Sequence, residues 1–257
     1  MPPRILANGE TNVGMKRSHN EDNYKLLDGH QLYIVADGMG GHASGEVASK
    51  MACETLQEFF EHTQEDPEAT WPYKMDKSRG YEENRLMTSI KLANLRIYEA
   101  AQRDPKLRGM GTTICGILVV DEGVLIAHVG DSRVYRIREG KLEQLTEDHS
   151  LLNDYIKMKR LTEEEIANFP HKNVIVRALG MKEHVKVDTM LDKPQPGDIY
   201  VLCSDGLCGP ATDKEIEEVV NTHSDLKTAT KALIDKANSN GGPDNITAVL
   251  AKVVGVG

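Results

Sequence analysis

The chain has 257 residues, of which 39% are hydrophobic and 28% charged, a composition typical of a globular protein with a substantial apolar core. Its net charge of -9 disfavours binding to nucleic acid or to an anionic membrane surface, because both interactions need a basic face. An acidic excess of this kind fits cation binding or simple solubility, and charge alone does not separate the two.

The first half of the chain combines a buried strand with two amphipathic helices. The apolar run QLYIVADG predicts a strand that ends at Asp37. Apolar residues at helical spacing predict helices over residues 43–60 and 84–103. The polar, proline-containing segment 61–81 between them is interpreted as a surface loop, because each flanking helix needs a core to cover.

In the second half of the chain, the pattern of apolar residues changes from helical spacing to short strand-like runs. The runs GTTICGILVV, GVLIAHVG, RVYRIREG and KLEQLT are rich in β-branched residues and separated by short turns, which predicts a β-meander. Residues 148–168 have a helical pattern, with Thr162 and Glu165 as a capping box. Strands are then predicted at 185–190 and 199–203, helices at 213–221 and 224–238, and a final strand at 245–254. Runs of strands followed by paired helices favour antiparallel sheets covered by helices in a single domain.

The cysteines and the first residues of the chain bear on its compartment. Three of the four cysteines lie in apolar surroundings, which is typical of free thiols in a reducing environment. Cys203 and Cys208 are too far apart for a CxxC motif, so no zinc site is predicted. The start lacks the apolar core of a signal peptide, and no apolar run approaches the roughly 20 residues that cross a bilayer. We therefore expect a cytoplasmic protein.

Acidic residues recur where predicted strands begin or end. They are Asp37, Asp131, Asp205 and Asp244, together with Glu21 and Asp22 before the short segment YKLL. An acid beside a buried strand is costly unless it is paired or bound to a metal, and several converging acids repel one another. A divalent cation would offset that repulsion, and oxygen-only ligands favour Mg2+ or Mn2+ over zinc.

Each acid alone is more simply explained as a turn residue, because Asp-Gly is common in turns. Their number and placement together favour a metal site, with hydrolysis of a phosphate ester as the natural chemistry. Arg17 lies just before the NED acids and offers a guanidinium that matches phosphate oxygens. The alternative for Arg17 is a solvated surface residue.

Eight short motifs follow one another between Arg17 and Val253: RSHNED, VADGMGGH, GMGTT, HVGDSRVY, LTEDHSLL, VIVRALG, VLCSDGL and GPDNITAVLAKV. The series resembles the bacterial branch of the metal-dependent protein phosphatases, the PPM or type 2C family. The resemblance implies an α+β fold, a four-layer αββα sandwich in which two antiparallel sheets are flanked by helix pairs, in one domain over residues 1–257. It also implies hydrolysis of phosphoserine and phosphothreonine in proteins by a water or hydroxide that bridges two Mn2+ or Mg2+ ions.

Residue by residue, the resemblance implies a core metal site. Asp37 matches the acid that bridges both ions, and Gly38 matches the residue whose carbonyl binds one of them. Asp205 and Asp244 match the acids that complete the shell of the other ion.

Four more positions carry further roles by the same resemblance. Glu21 and Asp22 match residues that hold metal-bound waters, and Arg17 matches the arginine that binds the substrate phosphate. Asp131 matches the residue that, with Asp205, binds a third metal in bacterial members.

The sequence departs from part of the family at Met39, where some eukaryotic members have a histidine proposed as general acid. Methionine cannot donate a proton, and the role is not transferred to His42, whose simpler interpretation is a loop-anchoring histidine. Ser132 is not expected to be a nucleophile, because no partner histidine follows at a recognisable triad position. A flap at about residues 148–170 corresponds to the family's variable segment beside the active site, and its alternative is a plain surface hairpin.

Three functions remain open at this point. The first is an active serine/threonine protein phosphatase, favoured because Asp37, Asp131, Asp205 and Asp244 are all present. The second is a catalytically inactive relative that binds phosphoproteins as a signalling module, and the third is a phosphatase of small phosphoesters. For the first, we expect a monomer whose partners are phosphoproteins, including a serine/threonine kinase and its targets, without nucleic acid or membrane.

Overall fold

Two antiparallel β-sheets pack face to face, and helices cover the outer side of each sheet. This computed structural model describes residues 2–40, 44–66, 68–158, 162, 165–166 and 174–255. The strands are β1 (Arg4–Asn12), β2 (Asp22–Leu27), β3 (Leu32–Met39), β4 (Gly111–Thr112), β5 (Ile114–Val120), β6 (Gly123–Val129), β7 (Arg133–Arg138), β8 (Lys141–Gln144), β9 (Asp188–Asp192), β10 (Ile199–Cys203) and β11 (Ile246–Gly255). The helices are α1 (Ser44–Glu65), α2 (Tyr81–Arg103), α3 (Leu151–Met158), α4 (Asp205–Cys208), α5 (Asp213–Thr222) and α6 (Leu226–Ser239).

The first sheet has the strand order β1-β11-β10-β7-β8, and the second has the order β2-β3-β5-β6-β9. The short strand β4 pairs with the end of β3, opposite Gly38 and Met39. Helices α1 and α2 pack on the second sheet, and α5 and α6 pack on the first. The observed layers confirm the predicted αββα sandwich of two antiparallel sheets flanked by helix pairs.

Alternation along β3 shows how the layers are built. Tyr33 and Val35 point into the core between the sheets, whereas Leu32 and Ile34 pack under α1 and α2. Side chains two apart on a strand share a face, so the same alternation places Asp37 on the inter-sheet side. The apolar core between the sheets therefore ends at a carboxylate.

Most predicted elements are present, with shifts at their ends. Helix α1 extends beyond the predicted 60 to Glu65, because Phe59, Phe60 and Thr63 continue its buried face. Strand β1 was not predicted, since only Ile5 is fully buried in it and the remaining side chains are half-buried or exposed. The strand forms because it pairs along its length with β11, more than 230 residues away in sequence, and a local apolar pattern does not indicate such a partner.

The helical pattern predicted over residues 148–168 gives α3, which ends at Met158. Thr162 and Glu165 make the predicted capping-box hydrogen bonds, with the Glu165 amide donating to Thr162 Oγ1 over 3.2 Å. The rest of the proposed flap, and His42, lie outside the described residues. Within the ranges described, no helix has the length and apolar character needed to span a bilayer.

Candidate metal centre

The acids picked out at strand ends converge at one end of the inter-sheet core. Asp22 lies opposite Asp37 in the β2–β3 pair. Asp205 is the first residue of α4, directly after β10, and Asp244 comes shortly before β11. Asp131 lies in the turn between β6 and β7, and its charge, like those of Asp22, Asp205 and Asp244, acts on Asp37.

Burial and mutual repulsion raise the pKa values of the clustered acids. Burial, reinforced by the neighbouring acids, raises the pKa of Asp37 well above its ordinary value. Burial, with a contribution from Asp205, raises the pKa of Asp22 to about 6 and that of Asp131 to about 7. The pKa of Asp205 is also raised, by burial and then by Asp244. The cluster therefore cannot carry its full negative charge at neutral pH unless a cation offsets it.

Two carboxylate oxygens of the acid cluster are available to a ligand. Among the described residues, Asp22 Oδ1 and Asp131 Oδ1 are buried and have no hydrogen-bond partner. The other oxygen of Asp22 accepts hydrogen bonds from Ser204 Oγ over 2.8 Å and from Thr247 Oγ1 over 2.6 Å. Buried polar atoms are rarely left unpaired, so these oxygens fit a hard cation or its bound water.

Glu21 and Gly38 meet at the beginning of α1. The Gly38 amide donates to the carbonyl of Glu21 over 3.1 Å, and the Gly45 amide donates to Glu21 Oε1 over 3.2 Å. A Cβ on Gly38 would collide with the carbonyls of Glu21 and Gly45, so a glycine is needed for α1 to approach β3 this closely. The carboxylate of Glu21 thus lies at the N-terminus of α1. Metal binding by the Gly38 carbonyl stays a prediction.

Arg17 reaches the cluster from a half-exposed loop. Its Nη2 donates to Asp244 Oδ2 over 2.6 Å, and this hydrogen bond is the first cause of the raised pKa of the guanidinium. The cationic side chain predicted at the site is therefore in contact with one of the acids, and its half-exposed position leaves room for a phosphate.

Asn245 holds this loop in place and was missed by sequence reasoning. Its Nδ2 donates to the carbonyls of Val13 and His19 over 2.9 and 2.8 Å, and its Oδ1 accepts from the amide of Glu21 over 2.8 Å. An amide side chain directly after Asp244 in the GPDN motif is the signal that was available.

Thr113 fixes the backbone of Asp37 from the neighbouring strands. The Asp37 amide donates to Thr113 Oγ1 over 3.1 Å, and the Thr113 amide donates to the Asp37 carbonyl over 2.8 Å. Thr113 Oγ1 also shares a 2.7 Å hydrogen bond with Ser132 Oγ. Ser132 is buried in this contact.

A second polar cluster, formed by His128, His149 and Asp188, was not predicted. Their candidate ligand atoms lie within 4.8 Å of one another, close enough to hold a metal. Arg177 and Lys186 already form salt bridges with Asp188, over 2.9 and 3.3 Å. These cationic side chains neutralise the negative charge that would attract a metal ion. Burial, and then the adjacent His128, lower the pKa of His149 to about 4, which keeps its ring neutral. We interpret this cluster as a hydrogen-bond network.

A cavity of about 820 Å3 lies at the other end of the strands. Gln31, Val120 and Asp121 are among its lining residues, and none of the predicted site residues lines it. Leu32 follows the cavity-lining Gln31 and lies five residue steps before Asp37 along β3, a distance of roughly 17 Å. This cavity is therefore not where the acids converge.

The sandwich fold and its acid cluster define a metal-dependent hydrolase. The chain belongs to the protein phosphatase 2C family, whose model matches residues 15–251. The serine/threonine phosphatase stp of Listeria monocytogenes is 38% identical over 254 residues, which cover 96% of this chain and 95% of the relative. These matches confirm the predicted family and the predicted class of enzyme, a serine/threonine protein phosphatase.

Solved structures give the same result. The serine/threonine phosphatase PstP/Ppp of Mycobacterium tuberculosis matches with a TM-score of 0.83 and 33% identity, over 97% of this chain and 98% of that chain. The catalytic domain of PstP in complex with two manganese ions matches with a TM-score of 0.79 and 32% identity, over 98% and 99%. The prediction of Mn2+ or Mg2+ as cofactor is thereby confirmed at the level of the family.

Replacing Asp37 with asparagine tests the charge balance of the cluster. Because folding raises the pKa of Asp37, its ionised form disfavours the folded state at neutral pH, and that cost grows as the pH rises. We expect Asp37→Asn to stabilise the metal-free protein by about 1 kcal/mol, roughly 2–4 °C in Tm, and to abolish the stabilisation that Mn2+ gives the parent. Thermal unfolding in EDTA and in Mn2+ measures both effects.

Asp192→Asn is the matched control. This buried acid accepts hydrogen bonds from Arg136 and Tyr200, each over 2.6 Å, so the same substitution there lowers the Tm. A lower Tm for metal-free Asp37→Asn, or an unchanged Mn2+ response, contradicts the account.

Proposed function

We propose that this chain removes phosphate from phosphoserine and phosphothreonine in proteins, with Asp37, Asp205 and Asp244 holding the catalytic cations. The proposal is supported by the convergence of these acids and Arg17 at the end of the inter-sheet core. When bound, Mn2+ or Mg2+ supplies an activated water and neutralises phosphate oxygens.

The protein's own groups then have distinct tasks. Asp37, Asp205 and Asp244 would hold the cations through their carboxylates, and Gly38 would offer its carbonyl. Glu21 and Asp22 act through bound water, and the unpaired Oδ1 of Asp22 is suitably free for that contact.

Arg17 binds the substrate phosphate. Its guanidinium is hydrogen-bonded to Asp244 in this structure, and that contact would weaken if Asp244 held a cation. The two-pronged guanidinium matches phosphate oxygens and is already at the site.

The leaving oxygen needs a proton that Met39 cannot give. Met39 is paired in strand with Gly111, next to Asp37, and offers only a thioether. We therefore assign this proton to water in the open site and not to a side chain at position 39.

Further proposals concern the domain, the flap, a third cation, the location and the partners of this phosphatase. We propose one phosphatase domain over residues 1–257, a flap at 148–170 that influences substrate choice, and a third cation at Asp131. The four free cysteines support a reducing, cytoplasmic location. A monomer acting against a serine/threonine kinase and its targets fits this role.

Hydrolysis of a phosphothreonine peptide tests the proposed function. We expect turnover in Mn2+, its loss in EDTA and its return when Mn2+ is added back, because the acids need the cations to bind substrate and activate water. Phosphate release is the measurement, with p-nitrophenyl phosphate as the small-molecule comparison. Turnover that survives complete metal removal contradicts the metal mechanism, and exclusive hydrolysis of the small ester favours the small-molecule alternative.

Arg17→Gln separates phosphate binding from metal binding. Losing a charge-assisted contact worth about 1.5–3 kcal/mol should lower kcat/KM for the phosphopeptide roughly 10- to 100-fold. Mn2+ affinity should be retained or increased, because Asp244 loses a competing cation.

Lys16→Gln is the control, since it removes the same charge from the neighbouring exposed position. Steady-state kinetics and calorimetry with Mn2+ make the comparison. Equal kcat/KM for both variants rules out a phosphate-binding role for Arg17.

A further inference from the structure

We propose that His149 is a positioning residue that holds Gly130 through two hydrogen bonds, here called the grip, and thereby fixes the adjacent Asp131 for a third cation. The third cation rests on the proposed function, whereas the grip itself rests on contacts of the protein alone.

The grip uses both the ring and the backbone of His149. The Gly130 amide donates to His149 Nδ1 over 3.0 Å, and the His149 amide donates to the Gly130 carbonyl over 2.9 Å. Both backbone groups of Gly130 are thus held by one residue, immediately before Asp131. Because Nδ1 accepts, the hydrogen of the neutral ring is on Nε2.

The opposite edge of the His149 ring is also hydrogen-bonded. Nε2 donates to Asp188 Oδ2 over 2.9 Å, and Arg177 donates to the same oxygen over 2.9 Å. His128 stacks on the ring with centroids 4.6 Å apart and an interplanar angle of 19°, and its Nε2 contacts the carbonyl of Glu147 over 2.8 Å. Such a network fixes both the tautomer and the orientation of His149.

Gly130 connects this grip to the metal centre. Its φ is +114°, and a Cβ there would lie 2.6 Å from Thr113 Cβ, so the loop depends on a glycine packed against Thr113. Thr113 in turn makes two hydrogen bonds with the backbone of Asp37. A contiguous path of contacts therefore joins His149 to Asp37 and passes beside Asp131.

His149 also lies at the root of the flap. Its carbonyl accepts from the Val176 amide over 2.9 Å, and the Leu151 amide donates to the Val174 carbonyl over 2.8 Å. These two hydrogen bonds join the residues around the start of α3 to residues 174–176.

Two substitutions separate the two edges of the ring. In His149→Asn the side-chain oxygen can replace Nδ1 as acceptor for Gly130, but the donor to Asp188 is lost. In His149→Gln the amide nitrogen can replace Nε2 as donor to Asp188, but the acceptor for Gly130 is lost. Circular dichroism and Tm verify that both variants fold.

The first measurement uses the metal-free protein. Hydrogen exchange of the Gly130 amide, followed by NMR, should be about tenfold faster in His149→Gln than in the parent or in His149→Asn. Equal exchange in all three proteins, or equally fast exchange in both variants, overturns the grip.

The second measurement is a Mn2+ titration by calorimetry, with Asp131→Ala as reference. We expect His149→Gln to bind the two core ions like the parent and the third ion about tenfold more weakly, with His149→Asn close to the parent. Excess Mn2+ should restore phosphopeptide turnover in His149→Gln but not in Asp131→Ala.

The possible failures are distinguishable. A parent that binds no Mn2+ overturns the proposed function, and the exchange experiment still decides whether the grip exists. A parent with two ions, unchanged in Asp131→Ala, overturns the third site alone. Unchanged third-ion affinity in His149→Gln overturns the positioning role.

Discussion

Repulsion among carboxylates at the end of the inter-sheet core is the constraint on which the rest of this structure depends. Strand alternation carries Asp37 onto the inner face, and pairing of β2 with β3 brings Asp22 opposite it. The raised pKa values of these acids, caused first by burial, show that the arrangement is unfavourable without a cation. The clustered charges thus destabilise the folded protein, and cation binding can offset this electrostatic destabilisation.

The surrounding contacts hold the acids together against that repulsion. Ser204 and Thr247 bind one oxygen of Asp22 and leave the other free. Thr113 fixes the backbone of Asp37, and Asn245 fixes the loop that carries Arg17. These groups touch no substrate, yet each places a group that is proposed to act, so the site is prepared before any ligand arrives.

The sequence predicted the sheet-and-helix layers and the positions of the acids, because both depend on local patterns. Strand β3, predicted to end at Asp37 and observed to continue to Met39, and strand β10 both follow from short apolar runs. Strand β1 escaped prediction because its pattern is weak and its partner β11 is remote in sequence. His149, Asn245 and Asp188 escaped for a related reason: periodicity indicates which face a residue occupies, but not which distant backbone group it will meet.

The His128–His149–Asp188 cluster also shows that proximity of metal-binding residue types is not sufficient for a metal site. Arg177 and Lys186 neutralise Asp188, and the histidine nitrogens are engaged with Gly130, Glu147 and Asp188. The acid cluster differs, because burial and like charges raise its pKa values and two of its oxygens are unpaired. Charge balance, more than distance, distinguishes the two.

Anomalous diffraction from crystals soaked in Mn2+ distinguishes the two clusters. We expect manganese peaks among Asp37, Asp205 and Asp244, with Arg17 no longer bonded to Asp244, and no peak at His128, His149 and Asp188. Manganese bound at the histidine cluster, with the acid cluster empty at saturating Mn2+, would contradict this expectation.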